Sequence, residues 1–365
     1  MKALIIYGDR EILNEKSDVF FRHNDYSNCL DELHAHVLTE KCEQDKIIGN
    51  IHVHPFPRKN PIKLFFYLRK IILREKVDLI IAPRPFVPGV LAVILKIVTK
   101  RKLLMSVFGA NIFRREWYLC SIKNFIYRFT IGPIVFYFSD YFQTDSVEDF
   151  EFLKNKFISK KVFWKPLVPQ NISDFFYNRD ISNKNITTIL FIGRLVAQKN
   201  IKLLAKIINE SLSTISNIKF NIIGEGSYGY LIKELAIKFP EFVSWSNPKT
   251  REEIIAEYTK SDILLLCSKF EGFPRVFMEA ASSAIPIITS NVCGKENLIK
   301  DSETGFIIKN ENCLEYVSKI RYLSEHKSVA SKMGLALRDV FNNNFNYNLT
   351  IKLQKEIFEY IKGNI

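Results

Sequence analysis

The chain has 365 residues, 47% of them apolar and 25% charged, a balance that excludes a disordered or fibrous protein and at this length favours two hydrophobic cores over one. Its net charge of +13 is unevenly spread, because residues 57–115 hold fourteen Lys or Arg against only Glu75 and Asp78. Such a patch draws an anionic partner, whether phosphate, nucleic acid or lipid headgroup, and says little about fold.

Six cysteines between Cys29 and Cys313 lie far apart with no C-x-x-C pair, which argues against a disulfide framework or a structural zinc site and fits a reducing, cytoplasmic setting. The first apolar run, Ala3 to Tyr7, is too short for a signal peptide, and no segment reaches the roughly 18 uncharged apolar residues of a membrane span. Further strands are expected at Val77 to Ala82 and Leu103 to Val107 in the first half. In the second half they are expected at Thr188 to Ile192, Phe220 to Ile223, Ile263 to Leu266 and Pro286 to Thr289. These Ile-, Leu- and Val-rich runs alternate with stretches of helical period, the pattern of parallel strands with crossover helices. Between the first two strands of this series, residues 57–76 place Leu64, Phe65, Tyr67, Leu68, Ile71 and Ile72 at helical spacing among cations. That segment either packs on its own sheet or lies on an anionic membrane surface.

Residues 165–185, with two prolines among polar residues, read as a linker. The expected division is an amino-terminal domain over 1–165, a linker over 166–186, a second domain over 187–342 and a closing helix over 343–365 that returns toward the first domain. Ligands of open parallel sheets bind beyond the carboxyl ends of the strands, so the motifs of interest should follow strands.

Several do. In FIGRLVAQKN, Gly193, Arg194 and Lys199 stand between a strand and a helix, where cations oppose the helix dipole unless an anion joins them. Solvated surface cations are the plainer reading. In NIIGEGSYG, Gly224, Gly226 and Gly229 satisfy G-x-G-x-x-G, which opens a nicotinamide or flavin alternative. The next strand ends in Ser246 and Asn247 without the acidic residue a dinucleotide ribose needs. In SKFEGFPRVFMEAASS, Gly272 permits close backbone approach, Phe273 follows, and Pro274 opens a helix whose first N–H groups, from Arg275 and Val276, are free for an anion. Glu271 in the loop and Glu279 in the helix are too far apart to share a proton; each could accept hydroxyl hydrogen bonds from one extended ligand. Their plain alternatives are a solvated carboxylate and an i, i+4 pair of Arg275 with Glu279. The pairs His34 with His36 and His52 with His54 lack a third ligand at metal-site spacing, and no Asp-x-Asp is present.

Taken in order, GRLVAQKN, IIGEGS, the Glu-x7-Glu element and GKENLIKDSETGFII resemble the carboxyl-terminal half of family 4 of the glycosyltransferases, retaining enzymes of the GT-B fold. The resemblance spans about residues 187–310. It implies an α/β architecture of two Rossmann-like, doubly wound domains facing a central cleft. It further implies that Arg194 and Lys199 bind the donor diphosphate, that Glu271 meets the transferred sugar and that Glu279 holds the ribose. Gly193, Gly224, Gly226 and the stretch Gly272, Phe273, Pro274 and Arg275 complete the donor site. Neither a metal ion nor an organic cofactor is then required.

In the amino-terminal half the family's His-Gly-x-Asp element is replaced by Phe108, Gly109, Ala110 and Asn111, leaving Gly109 and Asn111 as the acceptor-side candidates. The expected function is sugar transfer from a nucleoside-diphosphate sugar to a glycan or lipid-linked acceptor in bacterial surface-polysaccharide synthesis, in the cytoplasm and in peripheral contact with anionic membrane. A UDP-sugar epimerase of the same fold is the alternative enzyme. A nucleic-acid binder is the alternative class, but no recognition motif surrounds the cations.

Overall fold

The computed structural model describes residues 1–41, 43–57, 60–108, 112–177, 185–292, 295 and 298–365. The chain divides into two compact units, Met1–Asn171 with Tyr347–Ile365, and Ile172–Asn346.

The first unit is built on strands β1 (Lys2–Gly8), β2 (Glu32–Thr39), β3 (Lys46–Ile48), β4 (Ile51–Pro57), β5 (Leu79–Ala82), β6 (Lys102–Val107), β7 (Tyr141–Thr144) and β8 (Lys161–Trp164), ordered β3-β4-β2-β1-β5-β6-β7-β8. All pairings are parallel except β3 with β4. The strand order reverses between β1 and β5, so this sheet's natural ligand position lies beyond their carboxyl ends. Its helices are α1 (Asp18–Ser27), α2 (Pro61–Arg74), α3 (Val87–Thr99), α4 (Arg115–Leu119), α5 (Ile122–Phe129), α6 (Ile131–Phe138) and α7 (Val147–Lys156).

The second unit carries β9 (Thr187–Ile192), β10 (Ile218–Ile223), β11 (Val243–Ser246), β12 (Ile263–Leu266), β13 (Ile287–Ser290) and β14 (Gly305–Ile308) in the order β11-β10-β9-β12-β13-β14, all parallel. Here the reversal falls between β9 and β12. The helices are α8 (Ile201–Thr214), α9 (Gly229–Lys238), α10 (Arg251–Lys260), α11 (Arg275–Ser282), α12 (Cys313–Glu325) and α13 (Lys327–Asn344). The final helix, α14 (Tyr347–Lys362), belongs to the first unit: Ile357, Phe358 and Ile361 join its core and the Tyr347 hydroxyl donates to Asp25 Oδ2 at 2.5 Å.

Within the stretch expected as a linker, the described residues 166–177 carry buried side chains. Val168, Ile172 and Phe175 are buried, and a 3-10 turn over Ile172–Phe175 is pinned to the end of α11 by Ser282 and Ser283, whose hydroxyls donate to the carbonyls of Ile172 and Phe175 at 3.0 and 2.9 Å. The apolar stripe of α2 is also turned inward. Leu64, Leu68, Ile71 and Ile72 are buried in the unit's own core, while Ile62, Phe66 and Leu73 stand exposed among Lys63, Arg69, Lys70 and Arg74.

Candidate active site

At the reversal in the second sheet, the loops after β9 and β12 are clipped together. The Lys269 N–H donates to the Gln198 carbonyl at 2.9 Å, and Gln198 Nε2 donates to the Phe270 carbonyl at 3.1 Å. A 3-10 turn, Ala197–Lys199, leads to Asn200 in the left-handed region (φ 53°, ψ 49°), which asparagine tolerates, and α8 then begins. This geometry brings Lys199 Nζ to 2.5 Å from Glu271 Oε1, with both side chains largely buried. The sequence treats these two residues as separate contributors; the fold makes them one ion pair. Gly193 lies beneath that lysine, since a Cβ there would sit 3.4 Å from Lys199 Cε. Arg194 is exposed, and its nearest acceptor is Gln198 Oε1 at 3.4 Å, so most of its guanidinium is free for a ligand. Cys267 at the end of β12 is buried, which pushes its thiol up to about 12 and leaves it inert as a nucleophile.

Pro274 is the cap of α11 rather than its first residue, with φ −65° and ψ 123°. The Phe277 N–H reaches the Pro274 carbonyl at 3.0 Å, so the first-turn N–H groups of Arg275 and Val276 are those without intrahelical acceptors. Gly272 is buried and the Phe273 ring packs 5.5 Å from that of Phe345. Glu279, one turn further on, accepts a hydrogen bond from the Tyr258 hydroxyl at 2.9 Å. Burial raises the carboxyl's pKa, and the Tyr258 bond opposes that rise. The alternative i, i+4 pair is not made: Arg275 is exposed and has no ion pair among the described residues. Tyr258 was missed by sequence reasoning because it sits on α10, seventeen positions before the helix it serves, in a pattern that reads only as core.

Gly224 and Gly226 have a steric reason to be glycine. Their φ values are 140° and 152°, and a Cβ would lie 2.0 Å from the Gly193 carbonyl oxygen and 2.4 Å from that of Leu195. The G-x-G-x-x-G turn therefore lets the β10 loop cross the β9 loop that carries Arg194. Trp245 Nε1 closes it with a 2.9 Å bond to the Gly224 carbonyl.

In the first unit, Gly109 and Asn111 lie outside the described residues. The histidine pairs form a polar chain along neighbouring strands: Glu32 Oε2 to His34 Nε2 at 3.1 Å, His34 Nδ1 to His54 Nε2 at 3.0 Å, and His54 Nδ1 to Asp45 Oδ2 at 2.9 Å. Burial lowers His34 and His36 to about 4, so these imidazoles are neutral at pH 7. Among the described residues no group of three or more His, Cys, Asp or Glu is gathered to hold a metal ion.

Two Rossmann-like units in one chain give the GT-B fold, and the second gathers Arg194, Lys199, Glu271, Glu279 and the first turn of α11 about the switch point of its sheet. Residues 173–339 match the family model described as glycosyl transferases group 1. It is 23% identical to the capsular polysaccharide biosynthesis glycosyltransferase CapM of Staphylococcus aureus, over 85% of this chain and 86% of that one. It is 27% identical to an Escherichia coli enzyme named UDP-Gal:alpha-D-GlcNAc-diphosphoundecaprenol alpha-1,3-galactosyltransferase, over 48% of this chain and 46% of that one. The fold is shared with Anabaena HepE, solved in complex with UDP and glucose, at a TM-score of 0.70 and 15% identity over 99% of both chains.

Proposed function

We propose that this glycosyltransferase moves a hexosyl group from a nucleoside-diphosphate sugar to a glycan or lipid-linked acceptor, with retention of configuration and without a metal ion, in bacterial surface-polysaccharide synthesis. The carrying observation is the Lys199–Glu271 ion pair beside the exposed Arg194 at the switch point of the second sheet.

A buried ion pair with a free guanidinium alongside suits a ligand that presents both anionic and hydroxyl groups. The diphosphate would take Arg194 and share Lys199, while Glu271 would accept from a sugar hydroxyl and Glu279 from the ribose. The Arg275 and Val276 amides would support the distal phosphate. As the glycosidic bond breaks, the leaving diphosphate gains charge, so Arg194 and Lys199 would stabilise the transition state more than the ground state. The diphosphoundecaprenol-linked acceptor of the Escherichia coli galactosyltransferase supports the acceptor class, and the role of CapM in capsular polysaccharide biosynthesis supports the pathway. Cytoplasmic action with peripheral contact to anionic membrane belongs to the same proposal. Salt-sensitive co-sedimentation with anionic liposomes tests that part. Among the described residues no helix is long and apolar enough to cross a membrane.

Incubation with a panel of nucleotide sugars in excess EDTA, with NMR of the new glycosidic linkage, tests the reaction itself. The expected product retains the donor's configuration and forms at an undiminished rate. Activity lost to EDTA and restored by magnesium, an inverted linkage, or an epimerised sugar with no transfer would each contradict a stated part of the proposal.

A further inference from the structure

We infer that the first unit binds an amphiphile, holding a phosphate-bearing headgroup in a cationic cavity and a hydrocarbon chain in an apolar groove that adjoins it. This deepens the lipid-linked acceptor reading and rests on it.

The groove, about 1150 Å³, runs among α2, α3, α5 and α6, and its walls include Ile62, Phe66, Val87, Ile94, Ile122 and Ile126. These side chains remain 45 to 69% exposed on α2 and α3, and Ile122 and Ile126 are 80% and 52% exposed. Helix α5 buries none of its residues although it also carries Phe125 and Phe129. Folding of this chain has left that hydrocarbon surface in water, and an apolar partner would remove it.

The second cavity, about 580 Å³, opens at the carboxyl ends of β1, β5 and β6, where the strand order reverses. It presents Arg10, Arg22, Arg84 and Lys165 against a single carboxylate, Asp9. Lys165 is 1% exposed; its Nζ donates to the Tyr26 hydroxyl at 2.8 Å and to Gln354 Oε1, and it has no ion pair among the described residues. Arg22 and Arg84 have none either, while Arg10 reaches Glu43 at 3.2 Å on the surface. Burial pushes the Lys165 pKa well down and Asp145 acts against that fall, so an incoming anion would restore its charge.

Tyr7 lines both spaces. It sits at φ 55°, a left-handed conformation uncommon for a tyrosine, held by its own N–H donating to His36 Nδ1 at 3.1 Å and by edge contact with the His36 ring. The boundary between apolar groove and cationic cavity is therefore a built feature.

Charge selects the occupant. Helices α2, α3, α5 and α6 contain seven Lys or Arg and no Asp or Glu; Arg74 and Lys96 are paired with Glu75 and Asp140, which still leaves a cationic excess on this face. A second copy of the chain on this face would set cation against cation, whereas an anionic amphiphile neutralises them. A single hydrocarbon chain binds marginally, and a chain combined with cationic contacts binds stably.

Calorimetric titration of the full chain with farnesyl phosphate, farnesol and inorganic phosphate tests the inference. Farnesyl phosphate should bind at least about tenfold more tightly than either fragment. The pair Ile94→Glu with Ile126→Glu, both at exposed positions, and the pair Arg22→Gln with Arg84→Gln should each weaken it by about tenfold or more. Thermal stabilisation by a nucleoside diphosphate, a property of the second unit, should not change in either pair. Equal binding of farnesyl phosphate and inorganic phosphate would overturn the inference, as would full binding in both variant pairs. A wild-type dimer dissolved by Ile94→Glu and Ile126→Glu, with farnesyl phosphate binding untouched, would assign the groove to a second copy and equally overturn it. If nucleotide binding and transfer to a soluble glycan persist while farnesyl phosphate fails to bind, this inference fails alone. Loss of nucleotide binding in wild type would instead break the donor reading.

Discussion

The two units share a layered parallel sheet with one reversal of strand order, yet they spend their residues differently. The second concentrates its chemistry in a few crossing loops: Gly193 to Lys199, Gly224 to Gly226, and Glu271 to Glu279. The first spreads cations and exposed apolar side chains over several helices and buries a line of histidines within its sheet. A site that grips one compact anion needs a few backbone-positioned groups, whereas a surface that meets a larger partner needs area. The proposed functions are correspondingly local in one unit and distributed in the other.

The largest expected effect tests the crossing loops. Gly224→Ala should cost the second unit about 2 to 4 kcal/mol, because the added Cβ meets the Gly193 carbonyl and the backbone is strained for an L-residue. Gly49→Ala in the first unit, also at positive φ but with nothing within 4 Å, should cost only about 1 kcal/mol. Urea denaturation of both variants makes the comparison, and equal losses would show that the loop crossing is not what requires glycine.

Acid should separate the units next. His34 and His36 are held near 4 and His23 near 3, below the ordinary 6.5, by burial. A group whose folded pKa is depressed contributes stability that is present above the unfolded pKa and is lost as pH falls toward the folded value. The first unit should therefore lose a few kcal/mol between about pH 6.5 and pH 4. Glu279 acts in the opposite sense in the second unit, since burial raises its pKa and protonation relieves that cost. Urea denaturation followed at pH 7 and pH 4.5 should show the larger drop in the first unit; parallel losses would contradict the assignment of these histidines.

The difference between the units also explains what was legible in sequence. Strands β9, β10, β12 and β13 are short apolar runs ending in glycine, charge or serine, and these were read correctly to within two residues. Strands β2 and β4 were not, because ELHAHVLT and IHVHPFP alternate histidine with apolar residues. Of those histidines, His34 and His54 turn out to be buried partners of one another and of Glu32 and Asp45, and His36 is buried against Tyr7. The loops proposed to hold the donor could be named from spacing, but the Lys199–Glu271 pair could not, since it joins residues 72 positions apart through loop contacts visible only in the fold. From sequence the apolar stripe on α2 stays open between its own sheet and a membrane surface for a related reason. Helical period identifies an apolar face but not which neighbour covers it.

Smaller effects refine the second unit. Arg194→Ala should reduce turnover about tenfold without loss of stability, because an exposed guanidinium contributes to ligand binding and little to folding. Tyr258→Phe removes one hydrogen bond from Glu279 and should weaken nucleotide affinity only about five-fold, roughly 1 kcal/mol. Unchanged affinity would remove Glu279 from the ribose.

The proposed donor site depends most directly on whether the second unit binds a nucleoside diphosphate through Lys199. Thermal unfolding of wild type and Lys199→Ala with UDP, GDP and ADP, each beside its parent nucleoside, measures this. One diphosphate should stabilise wild type, its nucleoside should do so much less, and Lys199→Ala should weaken the diphosphate at least about tenfold. Stabilisation by none of the three, or equal response of the two proteins, would contradict the donor site.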